Sequence, residues 1–317
     1  MFETIVCADI GSETTRLASG RGFAEEPTRV ALDPAERMRV LAVGEPASRL
    51  LGAAEVYPVR GGVAELKLTA LMLRRMVLRF LKRRSLYGVQ VLAAAPGEGT
   101  PAANAALREA CAEAGFRAVG LADSALAGAL GAGLDPHSER AFMVADIGRE
   151  TLKTAVFANG GVIRGTFSRA GSVHFDRLIR ARLAEGGFVT TAKTAESIKK
   201  NLDLPVIRAS GREAMGGPTC CREIKPTLLR EALRPHVDVI VRELTEAISA
   251  LPPDAAADLM TGGITLIGGG SLLYGLDEEL ELRLNVPVRV CPGASQAAVL
   301  GLMKLAASPS LAKAAML

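Results

Sequence analysis

The stretch Ala8-Asp9-Ile10-Gly11-Ser12-Glu13-Thr14-Thr15 returns in the second half of the chain as Ala145-Asp146-Ile147-Gly148-Arg149-Glu150-Thr151-Leu152. Each copy follows an apolar run of β character, Ile5-Val6-Cys7 in one case and Phe142-Met143-Val144 in the other. A lone Asp-Ile-Gly is a common way for a chain to leave a strand. Two copies with matching flanks predict two strand-to-turn corners of one design, and therefore two related α/β domains facing each other. Such a corner suits a nucleotide's phosphates. Glycine lets backbone N–H groups approach closely, threonine hydroxyls donate, and the aspartate can hold a hydrated Mg²⁺. A nucleoside triphosphate in a cleft between the domains is the ligand this pattern implies.

The composition agrees with an ordinary globular protein. The 317 residues allow two domains with good cores, and 49% hydrophobic with 23% charged residues describes neither a disordered nor a fibrous chain. A net charge of +4, spread along the sequence, does not imply nucleic acid. The longest uncharged run, Leu259 to Leu276, contains six glycines and reads as a strand and turn rather than a bilayer helix. The first strand begins almost at once, which leaves no room for a signal peptide, so a cytoplasmic location is expected. Five cysteines (Cys7, Cys111, Cys220, Cys221, Cys291) and three histidines (His137, His174, His236) show no metal-ligand spacing. They read as reduced thiols and isolated rings.

Strand-like segments at Thr4–Ala8, Arg39–Val43 and Val89–Ala94 alternate with helical ones. From Leu68 to Leu81, Met72, Leu73, Met76, Val77 and Phe80 share one helical face. Thr100-Pro101 opens the next helix and Gly115 closes it. The second half repeats the order, with strands at Ala141–Ala145, Thr154–Ala158 and Val162–Phe167 and a long helix from Thr227 to Leu251 that stops at Pro252-Pro253. Thr265-Leu266-Ile267 then runs into Gly268-Gly269-Gly270, with Ser271 opening the following helix. The triple glycine has two readings: a bare surface for a flat purine, or a junction that needs tight backbone packing.

These pieces in this order resemble the actin superfamily and, within it, the bacterial MreB group. The resemblance is carried by the two corners, by 267–276 (Ile-Gly-Gly-Gly-Ser-Leu-Leu-Tyr-Gly-Leu), by Glu26-Pro27-Thr28-Arg29-Val30 and by Pro58-Val59-Arg60-Gly61-Gly62-Val63-Ala64. Gly131-Ala132-Gly133-Leu134, Thr194-Ala195-Glu196-Ser197-Ile198-Lys199 and 251–258 (Leu-Pro-Pro-Asp-Ala-Ala-Ala-Asp) extend it. It implies an actin-like, ribonuclease H-like duplicated α/β fold: two lobes, each a helix-covered mixed sheet with a smaller accessory subdomain. Domain I would span 1–141, with its small subdomain at about 27–72, and be completed by a C-terminal helix at 293–317. Domain II would span 142–292, with its small subdomain at about 180–245. The resemblance further implies ATP with Mg²⁺, filaments on the inner face of the cell membrane, and a role in positioning the cell-wall synthesis machinery. Carried over by position, Asp9, Gly11, Ser12, Thr14 and Thr15 form the first phosphate loop, and Asp146, Gly148 and Thr151 the second. Asp9 and Asp146 hold Mg²⁺ through water, Gly171 and Asp176 lie in a loop approaching the nucleotide, Glu196 and Lys199 sit beside ribose and base, and Gly268, Gly269 and Gly270 form the adenine turn.

Two departures bear on mechanism. MreB-like second loops read Asp-Ile-Gly-Gly-Gly-Thr-Thr, whereas Arg149 and Glu150 stand here in place of two glycines. Glu150, with Glu13 in the first loop, puts negative charge near phosphate oxygens, so ATP affinity is expected to fall. Where the family carries Glu-Glu-Pro, whose second Glu orients the attacking water, this chain has Asp123-Ser124-Ala125. Serine cannot act as a carboxylate base and Asp123 is displaced by one residue, so slow hydrolysis or none is expected.

Leu86-Tyr87, after Lys82-Arg83-Arg84, occupies the position of the family's membrane-dipping loop. The alternative is a basic helix C-terminus followed by an ordinary turn. Two other functions remain open on the same fold, a non-polymerising adaptor that binds a protein partner and a small-molecule kinase. The kinase would need an acidic base in a substrate pocket, and the sequence shows none.

Overall fold

The computed structural model describes residues 4–36, 39–50, 52–60, 63–95, 100–214 and 216–308. Gly61, Gly62 and the end of the expected 293–317 helix lie outside the described residues. The chain divides into two compact units, Met1–His137 with Ser295–Leu317, and Ser138–Ala294.

The sheet of the first unit runs, in spatial order, Ala118–Ala122, Val89–Ala94, Thr4–Ile10, Thr14–Ser19, Gly22–Pro27. Its first three strands are parallel, and the chain then folds back through two antiparallel hairpins. The second unit repeats this arrangement with Val288–Val290, Ile264–Ile267, Phe142–Ile147, Leu152–Ala158 and Gly161–Ser168, pair for pair in the same sense. Two halves with one sheet order explain why the Asp-Ile-Gly phrase occurs twice: each copy ends the central strand of its sheet.

A central strand covered on both faces reads as a continuous apolar run, and its alternate residues enter opposite layers. Val6 and Ala8 join the core beneath the helices Leu66–Leu81 and Pro101–Ala114, with Met72, Leu73, Met76, Leu107 and Cys111. Cys7, between them, joins the opposite layer with Ala127, Leu130, Val299 and Leu302 from the helices Ser124–Gly131 and Ala297–Ala307. Those two helices cross closely. A Cβ on Gly131 would overlap the Ala297 carbonyl, and one on Gly301 the Ala127 carbonyl. This reciprocal pair of small residues fastens 297–307 to the rest of the first unit. Burial pushes the thiols of Cys7 and Cys111 up to about 12, which leaves both inert.

Local signals set the helix ends. Glu65 accepts from Leu68 N–H at 2.7 Å and Thr100 from Ala103 N–H at 3.2 Å, while Gly115 closes the second of these helices at φ 97°. In the second unit Phe175, Ile179, Leu233, Ile240 and Leu244 pack with Met143, Ala145 and Ile147. The long helix runs Pro226–Ser249, and the proline pair after it also starts another, Pro253–Gly262. Ser271 does not open a helix. Its hydroxyl donates to the Gly268 carbonyl at 2.7 Å inside a short 3₁₀ turn, Gly269–Leu272, and the helix begins at Leu276. Among the described residues no helix is long and apolar enough to cross a membrane, and 264–267 of the long uncharged run is a strand.

Candidate functional site

Both corners lie at the C-terminal edge of the parallel strands, where ligands meet open α/β sheets. They close in the same way: Gly11 N–H donates to the Thr14 carbonyl at 3.1 Å, and Gly148 N–H to the Thr151 carbonyl at 2.8 Å. In the first unit Asp9 is the penultimate residue of its strand, and Ser12 in the turn and Thr14 at the start of the next strand are partly exposed. Glu13 is held by Arg29 at 2.8 Å. Thr15 departs from expectation. It is buried at 1% exposure with its hydroxyl 2.8 Å from that of Thr28, so it fastens the hairpin from inside and presents nothing to a phosphate.

The second corner rests on its neighbours. Ser172 N–H donates to the Gly148 carbonyl at 2.9 Å and Val173 N–H to the Arg149 carbonyl at 2.7 Å, at the start of the helix Val173–Glu185. Gly171 must be glycine, because a Cβ there would overlap backbone atoms of Arg149, Glu150 and Thr151. Its carbonyl accepts from His236 Nε2–H at 2.9 Å, and the His236 ring packs against Phe175 and His174 with centroids 4.6 and 4.7 Å away. Burial, then the neighbouring His174, pushes His236 down to about 4. It is neutral near pH 7.

The triple glycine follows the strand beside the second corner, where Ile267 pairs with Asp146. A Cβ on Gly268, at φ 83°, would overlap Asp146 Oδ1, and one on Gly270 would lie 2.6 Å from Ile147 Cγ2. Tight packing therefore accounts for these two. A Cβ on Gly269 would meet nothing within 4 Å, which makes Gly269 the open surface of the turn.

Five charged side chains join the corner to the helix Ala192–Lys199 and its cap. Lys199 Nζ lies 2.8 Å from Asp176, Arg149 lies 3.6 Å from Asp176 and 4.0 Å from Glu196, and Lys200 is 2.7 Å from Glu196. Burial lifts the Asp176 carboxyl above its ordinary value against the pull of Lys199 and Arg149. Burial acts on Glu196 too, but Lys200, Arg149 and Lys199 prevail and hold it below the ordinary value. Within the second unit, Asp146, Gly148, Thr151, Gly171, Glu196, Lys199 and 268–270 thus surround one corner. Arg149 reaches the two carboxylates expected near a bound nucleotide. Both are engaged.

The sequence reading missed Arg16 and Lys153. Arg16 is directly across the hairpin from Asp9, with its guanidinium 3.6 Å from Oδ2, and Lys153 is directly across from Asp146, with Nζ 3.7 Å from Oδ2. Each cation comes at the same offset after its aspartate, so extending the repeat by one residue would have shown both.

The MreB/Mbl protein family model matches residues 4–313. The chain belongs to the MreB/Mbl family. The cell shape-determining protein Mbl of Bacillus subtilis (strain 168) is 28% identical, over 95% of this chain and 95% of its own. MreB 5 of Spiroplasma citri, solved bound to AMPPNP, superposes with a TM-score of 0.90 at 23% identity, covering 99% of this chain and 98% of its own. MamK, solved as a double helical filament, superposes at 0.80 with 16% identity over 96% and 99%. The fold is actin-like.

The geometry also bears on other expectations taken from the MreB/Mbl pattern. Leu86 is not a membrane-facing residue: it is 1% exposed in the first unit's core, because its carbonyl accepts from Val89 N–H at 2.9 Å and the turn folds it inward. Tyr87, at 88% exposure, is left with exposed Lys82 and Arg84. Asp123 caps the helix Ser124–Gly131, its Oδ1 accepting from Leu126 N–H at 2.8 Å, and Ser124 is buried. Mg²⁺ held by Asp9 and Asp146 does not fit the residues present, since each carboxylate already lies against a basic side chain of its own hairpin. Among the described residues, no three His, Cys, Asp or Glu side chains gather as a metal cage.

Proposed function

We propose that this chain is a nucleotide-binding cytoskeletal protein of the cell-shape type, which assembles into filaments with itself or with a related subunit and turns ATP over slowly or not at all. The observation that carries the nucleotide part is the corner built twice, closed by the same Gly-to-Thr hydrogen bond at the same edge of two sheets of identical order. Backbone N–H groups at such corners, with Ser12, Thr14 and Thr151, supply donors for phosphate oxygens, and Gly269 offers a flat face for a base. The AMPPNP bound to MreB 5 and the filament formed by MamK support the ligand and the assembly. The cell-shape role follows that of the Mbl relative, and the cell-wall synthesis machinery is the proposed partner class.

Slow turnover rests on Asp123. A carboxylate committed to a helix cap does not orient an attacking water, and Ser124 has no carboxylate to offer. A peripheral contact with the inner face of the membrane rests on Tyr87, Lys82 and Arg84, and a polymer would repeat that weak contact many times. Electron microscopy of the purified chain with and without ATP tests the assembly. Filaments that require nucleotide support this function, and discrete monomers in both conditions favour the adaptor.

A further inference from the structure

One face of the first unit's sheet is covered only in part. Cys7 and Leu92 pair across two strands and pack with the helices Ser124–Gly131 and Ala297–Ala307, at 2% and 5% exposure. Two residues earlier on each strand Ile5 pairs with Gln90, and Gln90 pairs with Ala118 of the edge strand, so these three form the next row on the same face. That row is open: Ile5 is 37% exposed and Ala118 is exposed as well. Ile5, Gln90, Leu92 and Ala118 line a groove of about 240 Å³, together with Ala306 and Arg108. Arg108 is fixed there, its guanidinium donating to the Val119 carbonyl at 3.0 Å. The hollow exceeds the roughly 150 Å³ in which an apolar cavity takes up a guest the size of benzene.

The helix that covers the face stops at the margin of this groove. Leu305 packs in one layer with Cys7 and Leu92, Ala306 lines the groove, and Ser308 N–H donates to the Leu305 carbonyl at 3.2 Å where the helix ends. Residues 309–317, which lie outside the described residues, therefore continue from this margin. Their sequence, Pro-Ser-Leu-Ala-Lys-Ala-Ala-Met-Leu, carries a single charge and three large apolar side chains, Leu311, Met316 and Leu317. Leu311 is three residues beyond Ser308, about 10 Å of extended chain, and the open row spans two strand spacings, also about 10 Å. Seating Leu311 against Ile5 removes the apolar surface of both from water.

We propose that the segment 309–317 of the same chain docks in this groove, with Leu311 and Met316 covering Ile5 and Leu92. The first unit's core is then completed by residues that follow its last helix, and this holds whether or not the chain binds a nucleotide.

Methyl NMR of the full chain tests it. Nuclear Overhauser contacts are expected from the Leu311 and Met316 methyls to those of Ile5 and Leu92, and deletion of 309–317 is expected to move the Ile5 methyl signal. Ala118→Leu fills the groove from the edge strand, so these contacts should be lost and the Met316 methyl should take the position it has in the free 309–317 peptide. Unchanged Val299 and Leu302 methyls show that each variant is folded. A Met316 methyl already at the free-peptide position in the native chain overturns the proposal, as do contacts that persist in Ala118→Leu. A sample mixing labelled with unlabelled copies separates the source of the segment. Contacts within one copy support the proposal, whereas contacts only between copies assign the groove to a second copy and overturn it.

Discussion

Lowering the pH is expected to loosen the second unit through one ring. His236 is 5% exposed, donates to the Gly171 carbonyl, and is pushed by burial and by His174 from 6.5 down to about 4. The native state therefore refuses a proton that the unfolded chain accepts. As pH falls through 6.5 the unfolded state gains that proton first and stability declines, and the decline ends near pH 4, where the native ring titrates as well. At about 1.4 kcal/mol for each pH unit between the two values, the whole loss is about 3 kcal/mol. Urea unfolding at stepped pH, followed by amide exchange in the helices Val173–Glu185 and Pro226–Ser249, reads the second unit on its own. His236→Gln keeps a donor without a titrating ring and serves as the reference, so the other carboxylates cancel in the difference. The native chain is expected to lose about 3 kcal/mol more than His236→Gln between pH 6.5 and pH 4. Parallel stability curves for the two would refute the claim that a buried neutral histidine supports Gly171 and, through it, the second corner.

Other expectations follow from the packing. Gly301→Ala forces a Cβ into the Ala127 carbonyl and should cost about 3 kcal/mol in the first unit's unfolding, while the same change at exposed Gly20 should be nearly neutral. Lys199→Met leaves buried Asp176 with Arg149 at 3.6 Å and should cost about 3 kcal/mol near pH 7, measured by thermal melting, with part of the loss recovered as pH falls and the carboxyl protonates. Leu86→Ser should cost about 2–4 kcal/mol by opening the first unit's core, whereas Tyr87→Ser should leave stability unchanged and reduce co-sedimentation with anionic liposomes. Equal pelleting of Tyr87→Ser and native chain would remove the membrane contact.

The parts of the fold legible in the sequence were those fixed by neighbours along the chain. Thr100-Pro101 and Gly115 bound a helix because cap chemistry is local, and the apolar run before each Asp-Ile-Gly made a central strand because both its faces are covered. Features set by register or by a turn's direction were not legible. Leu86 and Tyr87 are adjacent and both apolar in character, yet a single hydrogen bond from Val89 sends one inward and leaves the other outside. Thr15 looks like a phosphate donor until Thr28, from another part of the chain, takes its hydroxyl. Arg149 was legible as a side chain where glycine is usual, but its partners Asp176 and Glu196 come from two later helices. Arg16 and Lys153 could have been found by extending the repeat, but only strand pairing sets each opposite its aspartate.

The central claim is that the corner built once in each half of the chain is a phosphate-binding turn. Titration calorimetry of ATP into the native chain, Gly11→Val and Gly148→Val tests it most directly, since each substitution puts a side chain where backbone N–H groups would meet phosphate. The account predicts that ATP binding by the native chain is weakened by these substitutions while circular dichroism stays native. Full-strength binding by both folded variants would contradict it.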